Sequence, residues 1–218
     1  MPKKEKYAIK SLMNTYEKVF DELVPAPKCE LDYEDNFQLL IAVVLSAQCT
    51  DKRVNQVTKS LFKKYPNPEA LAFANVKDVA KEIYSLGFYN TKAKNIVALA
   101  KDLVEKFNGQ VPCTIEHLTS LSGVGRKTAS VVLSEGFGVP AMAVDTHVFR
   151  VANRLGIGSE KSVIECEKAL KKCFPKSSWG KVHLQMVHFG RYHCKAKNPS
   201  CNACKFQKIC LYYNKKKD

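Results

Sequence analysis

The sequence predicts an all-α protein, and three observations lead there. Apolar residues recur at gaps of three and four, as at Ile9, Leu12, Met13, Tyr16, Val19, Phe20 and Leu23, which traces one face of a helix. Capping residues with proline or glycine punctuate the chain at helical intervals, as at Asn67-Pro68 and Asn108-Gly109. No stretch reads as a β-strand, and the start and stop signals divide the chain into about ten helices with no repeat of fixed period.

Taken in order, Glu5–Val24 forms the first helix, stopped by Pro25 and Pro27. Asn36–Leu45 is almost wholly apolar in its second half and is therefore a buried helix. Small polar residues in Leu45–Asp51 break that run, and Thr50 or Asp51 can cap a helix over Lys52–Tyr65. Gln48 stands in the junction, where a glutamine ordinarily caps or is solvated. Asn67-Pro68 opens a short helix to about Ala74. Val76–Leu86 follows and Gly87 ends it. Phe88 and Tyr89 make a turn, where aromatics usually pack inward, before a long helix Lys92–Phe107 capped by Asn90 or Thr91. Thr114–Leu121 gives another short helix. After the next one the chain loosens at Gly136, Gly138 and Pro140. Asp145-Thr146 caps a helix with Val148, Val151, Ala152 and Leu155 on its inner face, and Lys161–Phe174 and Ser178–Tyr192 are the last long helices.

The stretch with the most chemistry is LSGVGRKTA, residues 121–129. Gly123-Val124-Gly125 makes a tight turn whose backbone can approach another molecule closely. The helix beginning near Arg126 directs its first N–H groups and positive dipole end toward the same place, an arrangement suited to phosphate. Lys127 sits on the first turn. The helix end and Arg126 both disfavour its protonated form, which suits a nucleophilic amine. A lysine there could equally bind phosphate without any covalent chemistry.

Composition narrows the classes. Hydrophobic content of 45% with 26% charged residues is that of a globular chain rather than a disordered one. The 35 basic against 21 acidic residues leave +14, which suits a polyanionic partner. The most apolar run, Leu39–Leu45, is far too short to span a bilayer, and the N-terminus lacks the apolar core of an export signal. No membrane association is expected, and the terminal Lys215-Lys216-Lys217 is too short for a localisation signal. The cytoplasm is the expected compartment.

Nine cysteines in such a chain argue for reduced thiols and a metal centre rather than disulfides. The tail reads Cys194-x6-Cys201-x2-Cys204-x5-Cys210. Four thiolates can close a site for Zn²⁺ or for a [4Fe–4S] cluster. The uneven spacing leans toward iron–sulfur, although spacing by itself leaves both open. Arg191, His193, Lys195, Lys197, Lys205 and Lys208 crowd the same loop, as a phosphate-contacting array or a solvated charged loop.

LSGVGRKTA, VDTHVFRV and the cysteine tail, with LSAQCTD at 45–51 and LGFYNTKA at 86–93, together resemble the endonuclease III family over roughly residues 30–212. These are helix–hairpin–helix, iron–sulfur DNA glycosylases and abasic-site lyases of base excision repair. The resemblance implies a two-lobed fold. Residues 28–141 would form a six-helix domain holding the hairpin, and 1–27 with 142–218 a discontinuous cluster domain. It implies Lys127 as the nucleophile on C1′ and Asp145 as the carboxylate that assists base departure, the two facing each other across the groove between the lobes. Asp145 could also be a plain N-cap, and one carboxylate can do both. Cys194, Cys201, Cys204 and Cys210 would hold a [4Fe–4S] cluster. Gln48 and Phe88 fall where the family inserts side chains into the duplex, although leucine is usual at the second position. Gly123, Val124, Gly125, Arg126, His147, Arg191, Lys195 and Lys197 are the remaining candidate DNA contacts. Ser122 stands where the family commonly has proline, at some cost in turn rigidity.

The activity implied is removal of oxidised pyrimidines from duplex DNA, followed by β-elimination at the abasic site, by a monomer associated with the bacterial nucleoid. An adenine-mismatch glycosylase is the nearest rival, but it lacks a lysine at 127 and carries a further C-terminal domain. A non-catalytic DNA-binding protein is the rival of another class, and the Lys127 and Asp145 pair counts against it.

Overall fold

The computed structural model describes residues 3–157 and 161–215, so Lys216 and Lys217 of the terminal basic run lie outside the described residues. The described residues form helices and connecting segments with no strand. No helix among them is long and apolar enough to cross a membrane. The chain divides into two compact units, Cys29–Val139, and Met1–Lys28 with Pro140–Asp218.

The unit Cys29–Val139 is built on α2 (Asn36–Leu45), whose residues from Phe37 to Leu45 are all buried. A helix apolar on every side has nowhere else to go. Asp35 caps it by accepting from Gln38 N. Around it lie α3 (Asp51–Lys64), α4 (Pro68–Ala72), α5 (Val76–Glu82), α6 (Tyr89–Phe107), α7 (Ile115–Thr119) and α8 (Arg126–Phe137). The α6 helix packs on α4 and α5, and α8 packs on α2. Leu39, Leu40, Ile41 and Leu45 of α2, and Leu61, Leu71, Ile83, Leu86, Ile96 and Leu99 from the helices and turns around it, are all buried. Thr50 caps α3, and Asn67 with Pro68 starts α4, as their sequence signals require.

Most helix ends shift by one or two residues from the sequence expectation, and three differences change the reading of the chain. The α5 helix stops at Glu82, not Leu86. The α6 helix starts at Tyr89, ahead of Asn90 and Thr91, because Phe88 takes the N-cap in a left-handed conformation (φ 57°) with no side-chain cap. Lys92 N donates to Phe88 O at 3.0 Å, so the hydrogen-bond ladder begins there. The α8 helix continues through Gly136 and ends at Gly138.

In the other unit, α1 (Lys3–Leu23) packs on α11 (Trp179–Tyr192), and α11 on α9 (Thr146–Leu155). The α10 helix (Val163–Cys173) and the short α12 (Leu211–Asn214) also lie against α9. An aromatic cluster joins these elements. Phe206 lies 4.8 Å from Phe20 and 5.3 Å from Phe189, ring centre to ring centre, and is fully buried. Because Phe206 stands between Cys204 and Cys210, this cluster fastens the cysteine loop to the core. Tyr16 Oη donates to Leu155 O at 3.1 Å, and burial pushes its pKa up to about 12.

Candidate functional site

The hairpin is the turn between α7 and α8. Leu121 O accepts from Val124 N at 3.1 Å, and Gly123 sits at φ 77°, where a side chain would be strained. Val124 is buried, so only its backbone can reach a ligand, whereas Gly123 and Gly125 are exposed. Gly125 is the N-cap of α8 with no side-chain cap, and Arg126 and Lys127 follow, both exposed. A helix start left uncapped beside two cations is an anion site in the physical sense.

A brace that the sequence did not announce holds this turn. Ser122 donates to Asp102 Oδ2 twice, from Oγ at 2.8 Å and from backbone N at 3.0 Å. Lys106 contacts Asp102 Oδ1 at 2.6 Å. Burial opposes the charge on Asp102, but the hydrogen bonds from Lys106 and Ser122 outweigh it and hold the carboxyl below the usual carboxylate range. The rigidity that proline would supply at 122 is thus provided by an acceptor on α6.

Gln48 and Phe88 belong to the same unit. Both are non-glycine residues at positive φ, 56° and 57°, and both are exposed. Phe88 is 70% exposed, against the expectation that an aromatic at a turn packs inward. An exposed ring on a strained backbone position is held out by the fold rather than by its own preference, a pattern associated with function.

In the other unit, Asp145 is half-buried and is the N-cap of α9, accepting from Val148 N at 2.8 Å. The segment leading to it, Ala141 through Val144, is buried, and His183 Nδ1 contacts Ala143 O at 2.8 Å. Capping therefore orients the carboxylate. His147 lies one residue into the helix. Burial lowers its pKa, with Asp145 opposing and Arg150 and Arg191 reinforcing the shift. Arg150 Nη2 is 3.1 Å from His147 Nδ1. A guanidinium has only donors, so Nδ1 accepts and Nε2 carries the proton. The ring of His147 is thereby a donor through Nε2–H rather than a cation.

The four cysteines Cys194, Cys201, Cys204 and Cys210 line one cavity. Among the described residues no three His, Cys, Asp or Glu side chains converge on a single-ion position. His193 lines the same cavity, its ring stacked on Phe189 at 5.0 Å, and its Nε2 is buried with no hydrogen-bond partner. Two arginines one turn apart on α9 anchor the loop. Arg150 donates to Cys194 O at 3.1 Å and to Gly190 O at 2.8 Å. Arg154 donates to Lys195 O at 2.6 Å and Ala196 O at 3.0 Å, and lies over the Tyr212 ring at 4.4 Å. Gly190 permits this approach, since a Cβ there would come 2.9 Å from His147 Cβ. Lys195 and Lys197 are exposed, Arg191 is half-buried, and Lys205 is engaged by Glu22 at 2.9 Å.

Asp102, Arg150 and Arg154 were missed from sequence. The i, i+4 spacing of the two arginines on α9 was the one available signal.

The profile of the HhH-GPD superfamily of base excision DNA repair proteins matches residues 41–176. Endonuclease III of Bacillus subtilis (strain 168) is 49% identical over 190 residues, 87% of each chain. A solved non-covalent endonuclease III–DNA complex superposes with a TM-score of 0.91 at 46% identity, covering 95% of this chain and 98% of that one. A trapped endonuclease III–DNA covalent intermediate gives 0.88 at 45% identity over the whole of both chains.

Proposed function

The chain belongs to the endonuclease III family within the HhH-GPD superfamily of base excision DNA repair proteins, and from that premise we propose that it excises oxidised pyrimidines from duplex DNA and then cleaves the abasic site through Lys127. The observation that carries the reading is Lys127 itself, an exposed amine one residue into α8, directly behind a hairpin whose backbone suits phosphate.

A base inside the stack is out of reach, so the damaged nucleotide must leave it. Gln48 and Phe88 are the side chains exposed to fill the gap, and the Gly123–Gly125 backbone with Arg126 grips the flanking phosphates. Lys127 Nζ attacks C1′, the C1′–N bond breaks, and the base leaves with a proton. The sugar ring opens to an iminium between Lys127 and C1′. That cation acidifies the C2′ hydrogen. Its loss as a proton sends the electron pair into a C1′–C2′ enamine and then expels the 3′ phosphate by β-elimination. Asp145, oriented by its capping bond, stabilises positive character on the sugar and carries protons. His147 Nε2, with Arg191, Lys195 and Lys197, supplies further contacts to the backbone.

Members of this family carry an iron–sulfur cluster, and Cys194, Cys201, Cys204 and Cys210 fit one. They line one cavity together, and the buried His193 Nε2, which lines it too and has no partner within the protein, would find a sulfur acceptor there. When bound, the cluster supplies a rigid core and an electron-transfer centre. The residues 28–141 are proposed as the hairpin domain, with the seven helices α2–α8 rather than the six expected, and 1–27 with 142–218 as the cluster domain; the division into compact units lies within two residues of these bounds.

Incubation with thymine glycol duplex and borohydride tests the reading. The expected result is a covalent adduct and strand scission, both lost in Lys127→Gln with DNA binding retained. Asp145→Asn is expected to lower the rate by about 10²- to 10⁴-fold. Binding without any adduct in the unaltered protein would overturn the reading and leave a DNA-binding protein.

A further inference from the structure

Cys49 and Lys92 lie 43 positions apart, and neither enters the chemistry above. Lys92 Nζ nevertheless lies 3.0 Å from Cys49 Sγ. Lys92 is only 6% exposed, whereas Cys49 is half-buried. A buried ammonium needs partners for its donors, and here a partner is sulfur rather than a carboxylate.

The location adds meaning to the contact. Cys49 directly follows Gln48, and Lys92 N donates to Phe88 O at 3.0 Å. The thiol–amine pair therefore joins the two turns that present the exposed residues Gln48 and Phe88. A second tie runs alongside, from Arg53 Nε to Ser85 O at 2.9 Å. Both ties hold non-glycine residues that the backbone keeps at positive φ.

We propose that Cys49 and Lys92 form an oxidative modification site, in which a hydroperoxide converts their contact into a covalent sulfur–nitrogen bond. In the first step the Cys49 sulfur attacks one peroxide oxygen of H₂O₂. The O–O bond breaks, sulfur is oxidised to the sulfenic acid, and water leaves. In the second step Lys92 Nζ attacks that sulfur, the S–OH bond breaks, and the hydroxyl departs as water. The two protons released from the ammonium go to that hydroxyl and to solvent. The sum is thiol plus H₂O₂ plus ammonium giving S–N amide, one water and one hydronium. Sulfenic acids condense with nearby nitrogen in this way when it stands within reach, and the product returns to thiol and amine under a thiol reductant. The half-buried Cys49 admits a small oxidant, while Lys92 is already aligned and shielded from competing solvent. The link would join the Gln48 and Phe88 turns into one covalent body.

Peptide mass spectrometry of the intact protein after graded H₂O₂ tests this directly. The expected product joins the tryptic peptides that contain Cys49 and Lys92, blocks cleavage after Lys92, weighs two hydrogens less than its reduced parts, and reverts with dithiothreitol. In Lys92→Gln the same treatment is expected to leave a Cys49 sulfenic acid that dimedone traps. Dimedone labelling of Cys49 to equal extent in both proteins would overturn the proposal, as would oxidation of wild-type Cys49 to sulfinic acid without the link, or no reaction at Cys49. The borohydride assay on Lys127 is untouched by any of these outcomes.

Discussion

Replacing Asp102 by alanine removes the carboxylate that receives both donors of Ser122 and the Lys106 ammonium. Hydrogen bonds to a charged partner contribute about 1.5–3 kcal/mol each when buried. Asp102 is 16% exposed, but Ser122 is only half-buried, and water would restore part of what both its donors lose. The Lys106 pair is mostly solvated and adds under about 0.5 kcal/mol. The expected loss is therefore about 1.5–3 kcal/mol of stability, concentrated at the hairpin, with weaker DNA binding although Lys127 is intact. Chemical denaturation of Asp102→Ala, Ser122→Ala and the double variant isolates the shared term. A coupling of at least about 0.5 kcal/mol is expected, and additivity within about 0.3 kcal/mol would refute the brace. The pH dependence follows from sign. The folded pKa of Asp102 lies below its unfolded value, so the folded state binds fewer protons. Its stabilisation is complete above the unfolded carboxylate pKa and fades as pH falls through the folded one. The coupling should be present at neutral pH and vanish in acid.

Two further substitutions probe other supports. Gly123→Ala places a Cβ 3.0 Å from Asn95 Cβ at a φ of 77°, and should cost about 1–3 kcal/mol in denaturation and weaken duplex affinity by anisotropy. Unchanged stability and affinity would mean that the turn relaxes without consequence. Arg154→Ala removes the donors to Lys195 O and Ala196 O and the stacking on Tyr212. Where the proposed cluster is bound, loss of its chromophore near ~400 nm to a chelator should then become faster, while far-ultraviolet helicity stays the same. Equal chelation rates would show that Arg154 does not help to anchor the loop.

Much of the fold was legible because helices advertise themselves locally. Asn36–Leu45 was bounded to the residue, since an apolar run and the polar break that follows it are both short-range signals, and the structure adds the Asp35 cap. Glycine and proline marked most other ends for the same reason. The start of α6 was not legible. Its N-cap is Phe88 in a left-handed conformation, and no side-chain code predicts that a phenylalanine will adopt it. The outward ring followed from the same backbone and reversed the inward packing expected of it.

For the candidate site, the sequence alone determined which residue types are present and how they are spaced. It specified the glycine turn before a basic helix start, the aspartate at a second helix start, and four cysteines within seventeen residues. Each lies within one or two turns of chain, where propensity and spacing carry the information. Tertiary structure decided what supports them. Asp102 reaches Ser122 across 20 residues, Lys92 reaches Cys49 across 43, and Arg150 and Arg154 reach the cysteine loop across about forty. A polar side chain advertises a need for a partner but not its address. The address depends on which helices pack together, and that is set by burial of apolar faces rather than by the polar residues themselves.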